Sequence, residues 1–76
     1  MKVREIMTQD PAGCAPEANI RDVARMMAEN DCGEIPVLDE SSRPIGVVTD
    51  RDIACRVVAQ GKDPGQTSAR DVMSSP

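Results

Sequence analysis

The sequence predicts a small α+β domain, a β-α-β-β-α unit in which a small sheet packs on two helices. Two stretches with apolar residues at helical spacing, 20–28 and 53–58, flank two short apolar runs, 34–38 and 45–49. The chain is 76 residues long, with 39% hydrophobic and 29% charged residues. It is therefore one domain at most, burying about 60% of its unfolded surface, and it falls outside the disordered class. The third observation is an internal repeat. Residues 3–8 read Val-Arg-Glu-Ile-Met-Thr and residues 69–74 read Ala-Arg-Asp-Val-Met-Ser, so Arg4 matches Arg70 and Met7 matches Met73. Pro11 follows the first copy and Pro76 the second.

Taken in order, residues 12–15 are short, apolar and bounded by Pro11 and Pro16, which suits a brief strand. Asn19 is a favourable N-cap, with Asp22 at the third helical position as a weak capping box. Ile20, Val23, Ala24, Met27 and Ala28 then form the apolar stripe of a first helix, and Met26 and Met27 read as core. Gly33 is the expected stop. Glu-Ile-Pro-Val-Leu at 34–38 is a strand. Pro36 cannot donate to a ladder, which points to an edge or a ligand-facing position. The polar run 39–44 is a hairpin turn, and Ile-Gly-Val-Val-Thr at 45–49 is the clearest strand. A second helix follows with Ile53, Ala54, Val57 and Val58 on one face and Gly61 at its end. Residues 61–68 read as a linker by composition. Neither helix buries its stripe alone, so both require the sheet.

Composition narrows the function. Nine basic against 13 acidic residues give a net charge of −4, and there is no Phe, Tyr, Trp or His. That charge offers no attraction to nucleic acid or an anionic membrane, and no aromatic is present to stack on bases. No apolar run approaches a membrane span, and the N-terminus is too charged for a signal peptide, so the chain is read as cytoplasmic. Cys14, Cys32 and Cys55 are odd in number and lack a Cys-x-x-Cys pair, which suits reduced thiols rather than a metal site. No nucleophile-and-base motif or phosphate-binding Gly-Lys run is present. The chain reads as a binding module, not an enzyme.

Chemistry concentrates where the last strand meets the last helix, at Gly46-Val-Val-Thr49-Asp-Arg51-Asp52. Backbone N–H groups at a helix start favour an anion. The Thr49 hydroxyl can donate to a phosphate oxygen, and Arg51 can pair with phosphate. Asp52, acceptor-only when ionised, can take both hydroxyl protons of a ribose. Gly46 permits close backbone approach. Thr-x-x-Asp before an apolar run is equally a plain capping motif, and the two readings are compatible. Ile35, Pro36 and Val37 offer an aliphatic wall for a purine, Pro36 leaving a carbonyl without its usual neighbouring donor.

The order Ile6-Met7-Thr8, Pro11, then 19–27, Gly33-Glu-Ile-Pro-Val-Leu-Asp39 and Ile45-Gly-Val-Val-Thr-Asp-Arg-Asp-Ile53 strongly resembles a CBS domain, the cystathionine-β-synthase motif. The likeness covers residues 1–60, with 61–68 as linker and 69–76 as the truncated start of a second copy. The resemblance implies a β-α-β-β-α fold working in pairs, as in the two-copy Bateman module. It implies clefts that bind adenosine-containing ligands such as AMP, ADP, ATP, S-adenosylmethionine or NAD, acting as regulators rather than catalytic cofactors. The family's phosphate and ribose contacts fall on Thr49 and Asp52, with Arg51 as a further phosphate partner. Its adenine contacts fall on Pro11, Ala12, Ile35, Pro36 and Val37. Gly13-Cys14 departs from the family's usual hydroxyl and β-branched pair, which loosens that wall. With one complete copy, two chains are expected to pair about a twofold axis. The alternative is a ligand-free dimerisation module in which Thr49 and Asp52 only cap a helix.

Overall fold

Helix α1, Ile20–Asn30, is the longest element of the computed structural model, which describes residues 13–75. Its start follows from Asn19. The extended backbone there (φ −79°, ψ 155°) lets Asn19 Oδ1 accept the Asp22 amide at 2.9 Å, a cap typically worth about 1 kcal/mol. Asn19 Nδ2 returns a bond to Asp22 Oδ2 at 3.2 Å. Ile20, Val23 and Met27 turn the apolar stripe inward and are buried, whereas Ala28 at its margin is exposed. The helix stops before the glycine expected to end it. Asp31 takes the left-handed conformation (φ 51°, ψ 49°) and its amide donates to the Met27 carbonyl. A short polar side chain tolerates that geometry, so the turn is complete before Gly33 is reached.

Strands β1, Glu34–Leu38, and β2, Pro44–Thr49, form an antiparallel hairpin pairing Glu34 with Thr49, Ile35 with Val48, Pro36 with Val47 and Val37 with Gly46. A bulge between Val37 and Leu38 sets Leu38 against Pro44. Asp39 shapes the turn, its Oδ1 accepting the Ser41 and Arg43 amides at 2.8 and 2.9 Å. Alternation sends Ile35, Val37 and Val48 into the core, all with zero exposure.

Among the described residues, each flank of the hairpin is bridged by a single residue. Beside β1, Cys14 donates to the Pro36 carbonyl and accepts from the Leu38 amide, both at 2.9 Å. Of the strand expected over 12–15, the described part pairs at Cys14 alone, because Gly13 (φ 117°) turns the chain away. Pro36 accordingly does not lie on an open edge, and its carbonyl has a donor. Beside β2, Ser74 exchanges two backbone hydrogen bonds with Val47, at 2.8 and 2.9 Å.

Helix α2, Asp50–Ile53, follows β2 without a loop and widens at once into a π-helical stretch, Ala54–Val58. Ala59 donates to the carbonyl of Ala54, and Lys62 to that of Val57, both at 2.9 Å. The wider turn breaks the stripe expected from a 3.6-residue period. Val57 is fully buried, Ile53 half-buried, and Val58 is 68% exposed. Gly61, with φ 71°, ends the segment as expected.

Residues 61–68, linker-like in composition, pack against α1. Asp63 caps a 3-10 turn, Pro64–Gln66, by accepting the Gly65 amide at 2.9 Å. Thr67 is buried and its carbonyl accepts the Ile20 amide at 2.9 Å, satisfying an otherwise unpaired N–H at the start of α1. Helix α3, Ala69–Val72, capped by Ser68, buries Ala69 and Val72 in the same core as Ile20, Val23 and Val57. Full burial of a side chain such as Val72 contributes about 1.5–3 kcal/mol. The second repeat copy thus helps build this core; the first copy, residues 3–8, lies outside the described residues, as do Pro11, Ala12 and Pro76.

Candidate functional site

The end of β2 and the start of α2 are joined by a reciprocal capping box. Thr49 is extended (φ −106°, ψ 164°), its Oγ1 accepts the Asp52 amide at 3.0 Å, and Asp52 Oδ2 accepts the Thr49 amide at 3.0 Å. Both expected site residues therefore meet, and each satisfies an orphan donor of the other's backbone.

Asp52 carries more than a cap. It is only 8% exposed, and Ser74 Oγ donates to Oδ1 at 3.2 Å and Oδ2 at 3.4 Å. Arg56, one turn along, brings Nε to 3.9 Å from Oδ1. Burial pushes the Asp52 carboxyl up. The hydrogen bonds from Thr49 and Ser74, with the Arg56 charge, outweigh it and hold the group below its ordinary value. The carboxylate is thus an ionised acceptor at near-neutral pH.

Arg56 has a second task. Its guanidinium donates to the carbonyls of Val72 at 3.0 Å and Met73 at 3.3 Å, fixing the chain that delivers Ser74. Gly46 fits the same arrangement. A Cβ there would lie 2.5 Å from Met73 Sδ and 3.0 Å from the Ser74 carbonyl. The close approach expected at Gly46 is made by the chain's own Met73.

The remaining candidates divide. Arg51 is exposed at the mouth of α2. Ile35 and Val37 point into the core with zero exposure. They present only backbone to a ligand, so the expected aliphatic wall reduces on this strand to half-buried Pro36. Pro11 and Ala12 lie outside the described residues. Sequence reasoning missed Arg56 and Ser74. An Asp and an Arg four apart on a helix are a recognisable pair, so Arg56 was readable; Ser74, 22 residues from Asp52, had no local signal.

A separate pocket of about 210 Å³ is lined by Pro16, Glu17, Asp39, Glu40, Ile45 and Arg70, sharing no residue with the Thr49 and Asp52 corner. Arg70 there is already paired with Glu17 at 3.1 Å. The surplus of carboxylates makes it a poor seat for a phosphate.

Burial raises the Cys14 thiol, away from the reactive thiolate. Among the described residues there is no His/Cys/Asp/Glu cluster fit for a metal, and no helix long and apolar enough to cross a membrane.

The CBS domain family model matches residues 3–59. The CBS domain-containing protein YhcV of Bacillus subtilis is 41% identical over 73 residues, covering 96% of this chain and 51% of that protein. The uncharacterized protein MK0525 of Methanopyrus kandleri is 36% identical over 76 residues, covering all of this chain and 39% of that one. The chain spans about half the length, or less, of these relatives. The structure of the CBS domain protein PAE2072 from Pyrobaculum aerophilum, complexed with AMP, superposes with a TM-score of 0.78 at 34% identity, over 95% of this chain and 55% of that one.

Proposed function

Because the chain belongs to the CBS domain family, we propose that it is a regulatory binding module for adenosine-containing nucleotides rather than a catalyst. The observation that carries this reading is the ionised, hydrogen-bonded Asp52 carboxylate beside Thr49 at the mouth of α2, in a chain similar to a protein whose structure holds AMP. In this reading Asp52 accepts the ribose hydroxyl protons, and Thr49 Oγ1 and the exposed Arg51 guanidinium meet phosphate. Pro36 and the backbone of Ile35 and Val37 face the base, with Pro11 and Ala12 beside it. AMP is the first candidate; ADP, ATP, S-adenosylmethionine and NAD share the adenosyl part.

Two chains pair about a twofold axis in this proposal, each supplying one half of a cleft, in the cytoplasm of the cell. A ligand that binds one arrangement of the pair more tightly than another then shifts the balance between them. One observation favours the ligand-free alternative: Thr49 and Asp52 already satisfy each other and Ser74.

Thermal unfolding with AMP, ATP, S-adenosylmethionine and NAD separates the two. A ligand at a hundred times its dissociation constant adds about 2.7 kcal/mol to stability. A midpoint unmoved by all four overturns the nucleotide reading.

A further inference from the structure

We infer that Ser74 and an incoming ribose compete for the Asp52 carboxylate, so that nucleotide binding loosens the docking of residues 72–74 on β2. This deepens, and rests on, the nucleotide reading above. Asp52 is 8% exposed, and Thr49, Arg56 and Ser74 all lie against it. Ser74 Oγ reaches both carboxylate oxygens, at 3.2 and 3.4 Å. The Thr49 amide holds Oδ2 at 3.0 Å as half of the capping box, so displacing it would uncap α2. Ser74 is therefore the partner that yields.

The exchange is chemically even. A serine hydroxyl on a carboxylate and a ribose hydroxyl on a carboxylate are the same hydrogen bond. The ribose brings two vicinal hydroxyls against one, so a bound nucleotide prevails once its other contacts are made. The segment it displaces is not loose. Val47 and Ser74 exchange backbone bonds at 2.8 and 2.9 Å, Met73 fills the space over Gly46, and Arg56 grips the Val72 and Met73 carbonyls. Removing the Ser74 anchor consequently weakens this strap in place rather than releasing it. Since Val72 belongs to the core, the strap couples occupancy of the corner to the seating of α3.

The test titrates AMP calorimetrically into the full chain, its Ser74→Ala variant and a Ser75→Ala control at the exposed neighbouring position. Amide hydrogen exchange is followed at Val47 and Ser74. Ser74→Ala keeps the backbone bridge and so remains folded, which protection at Ile35 and Val37 verifies. It is expected to bind AMP about tenfold more tightly, the scale of one hydrogen bond to a charged group, while Ser75→Ala is unchanged. In the unaltered chain, AMP is expected to speed exchange at Val47 and Ser74 severalfold. If Ser74→Ala binds AMP equally or more weakly, or if AMP slows exchange at these amides, Ser74 is a neutral or helping contact and the competition is overturned. If neither protein binds AMP, ATP, S-adenosylmethionine or NAD, the nucleotide reading itself falls, and this inference with it.

Discussion

Beside β1, Cys14 makes two backbone hydrogen bonds of 2.9 Å, to Pro36 and Leu38; beside β2, Ser74 makes two of 2.8 and 2.9 Å with Val47. The main-chain device is the same, and the side chains part company. Cys14 turns a buried thiol, raised by burial, into an apolar cluster with Val37. Ser74 aims a hydroxyl at a buried carboxylate. One flank is closed by packing, which has a single good solution. The other adds a hydroxyl-to-carboxylate hydrogen bond, the one that a ligand hydroxyl replaces in the proposal above. In that proposal, stability sits at Cys14 and responsiveness at Ser74.

Two glycine substitutions test that division. Gly13 has φ 117°, and a Cβ there would lie 2.8 Å from the Pro36 carbonyl oxygen. Gly13→Ala therefore carries both backbone strain and a clash with main chain, and is expected to lower stability by about 3 kcal/mol. Gly46→Ala meets the flexible Met73 side chain first, so the expected loss is smaller, about 1–2 kcal/mol. Denaturant unfolding gives both numbers. Exchange at Ser74 should rise sharply in Gly46→Ala, with Cys14 still protected. Equal losses with equal exchange at both flanks would abolish the distinction.

The sequence made much of this legible. Strand β1 falls on the residues its apolar run indicated, and β2 adds only Pro44. Asn19 and Thr49 cap as their side-chain chemistry requires, because capping is local and needs only three residues of context. Distance along the chain is what defeated the rest. The end of α1 was a contest between Asp31 and Gly33, two residues that both accept left-handed geometry, and the earlier one prevailed. The π-helical stretch has no periodic signature, so Val58 was assigned to a face that the widened turn rotates into solvent. Thr67 falls in a stretch that composition assigns to a linker, yet its carbonyl pairs with Ile20, 47 residues away, and the Ser74 hydroxyl pairs with Asp52, 22 residues away. At the site, Thr49 and Asp52 were readable as a pair. Their third partner was visible only as a hydroxyl conserved in class between Thr8 and Ser74 of the repeat.

A smaller effect concerns pH. The Asp52 carboxyl is held below its ordinary value of 3.8 in the folded chain. Its stabilising contribution is therefore present above that value, and it is lost as pH falls through the unfolded and then the folded pKa. Asp52→Asn, which keeps the shape and removes the charge, should be less stable than the unaltered chain at pH 6. The gap between their melting temperatures should narrow as pH drops toward about 3. A constant gap would mean that the carboxylate's charge contributes nothing at this corner.

The most direct measurement is an AMP titration followed by backbone amide resonances, on the unaltered chain and on Asp52→Ala. The predicted result is saturable shifts centred on residues 46–52 and 74, absent from Asp52→Ala while that variant stays folded. No shift at about 1 mM AMP, where even weak specific binding is visible, would contradict it. So would shifts centred instead on Glu17, Asp39 and Arg70.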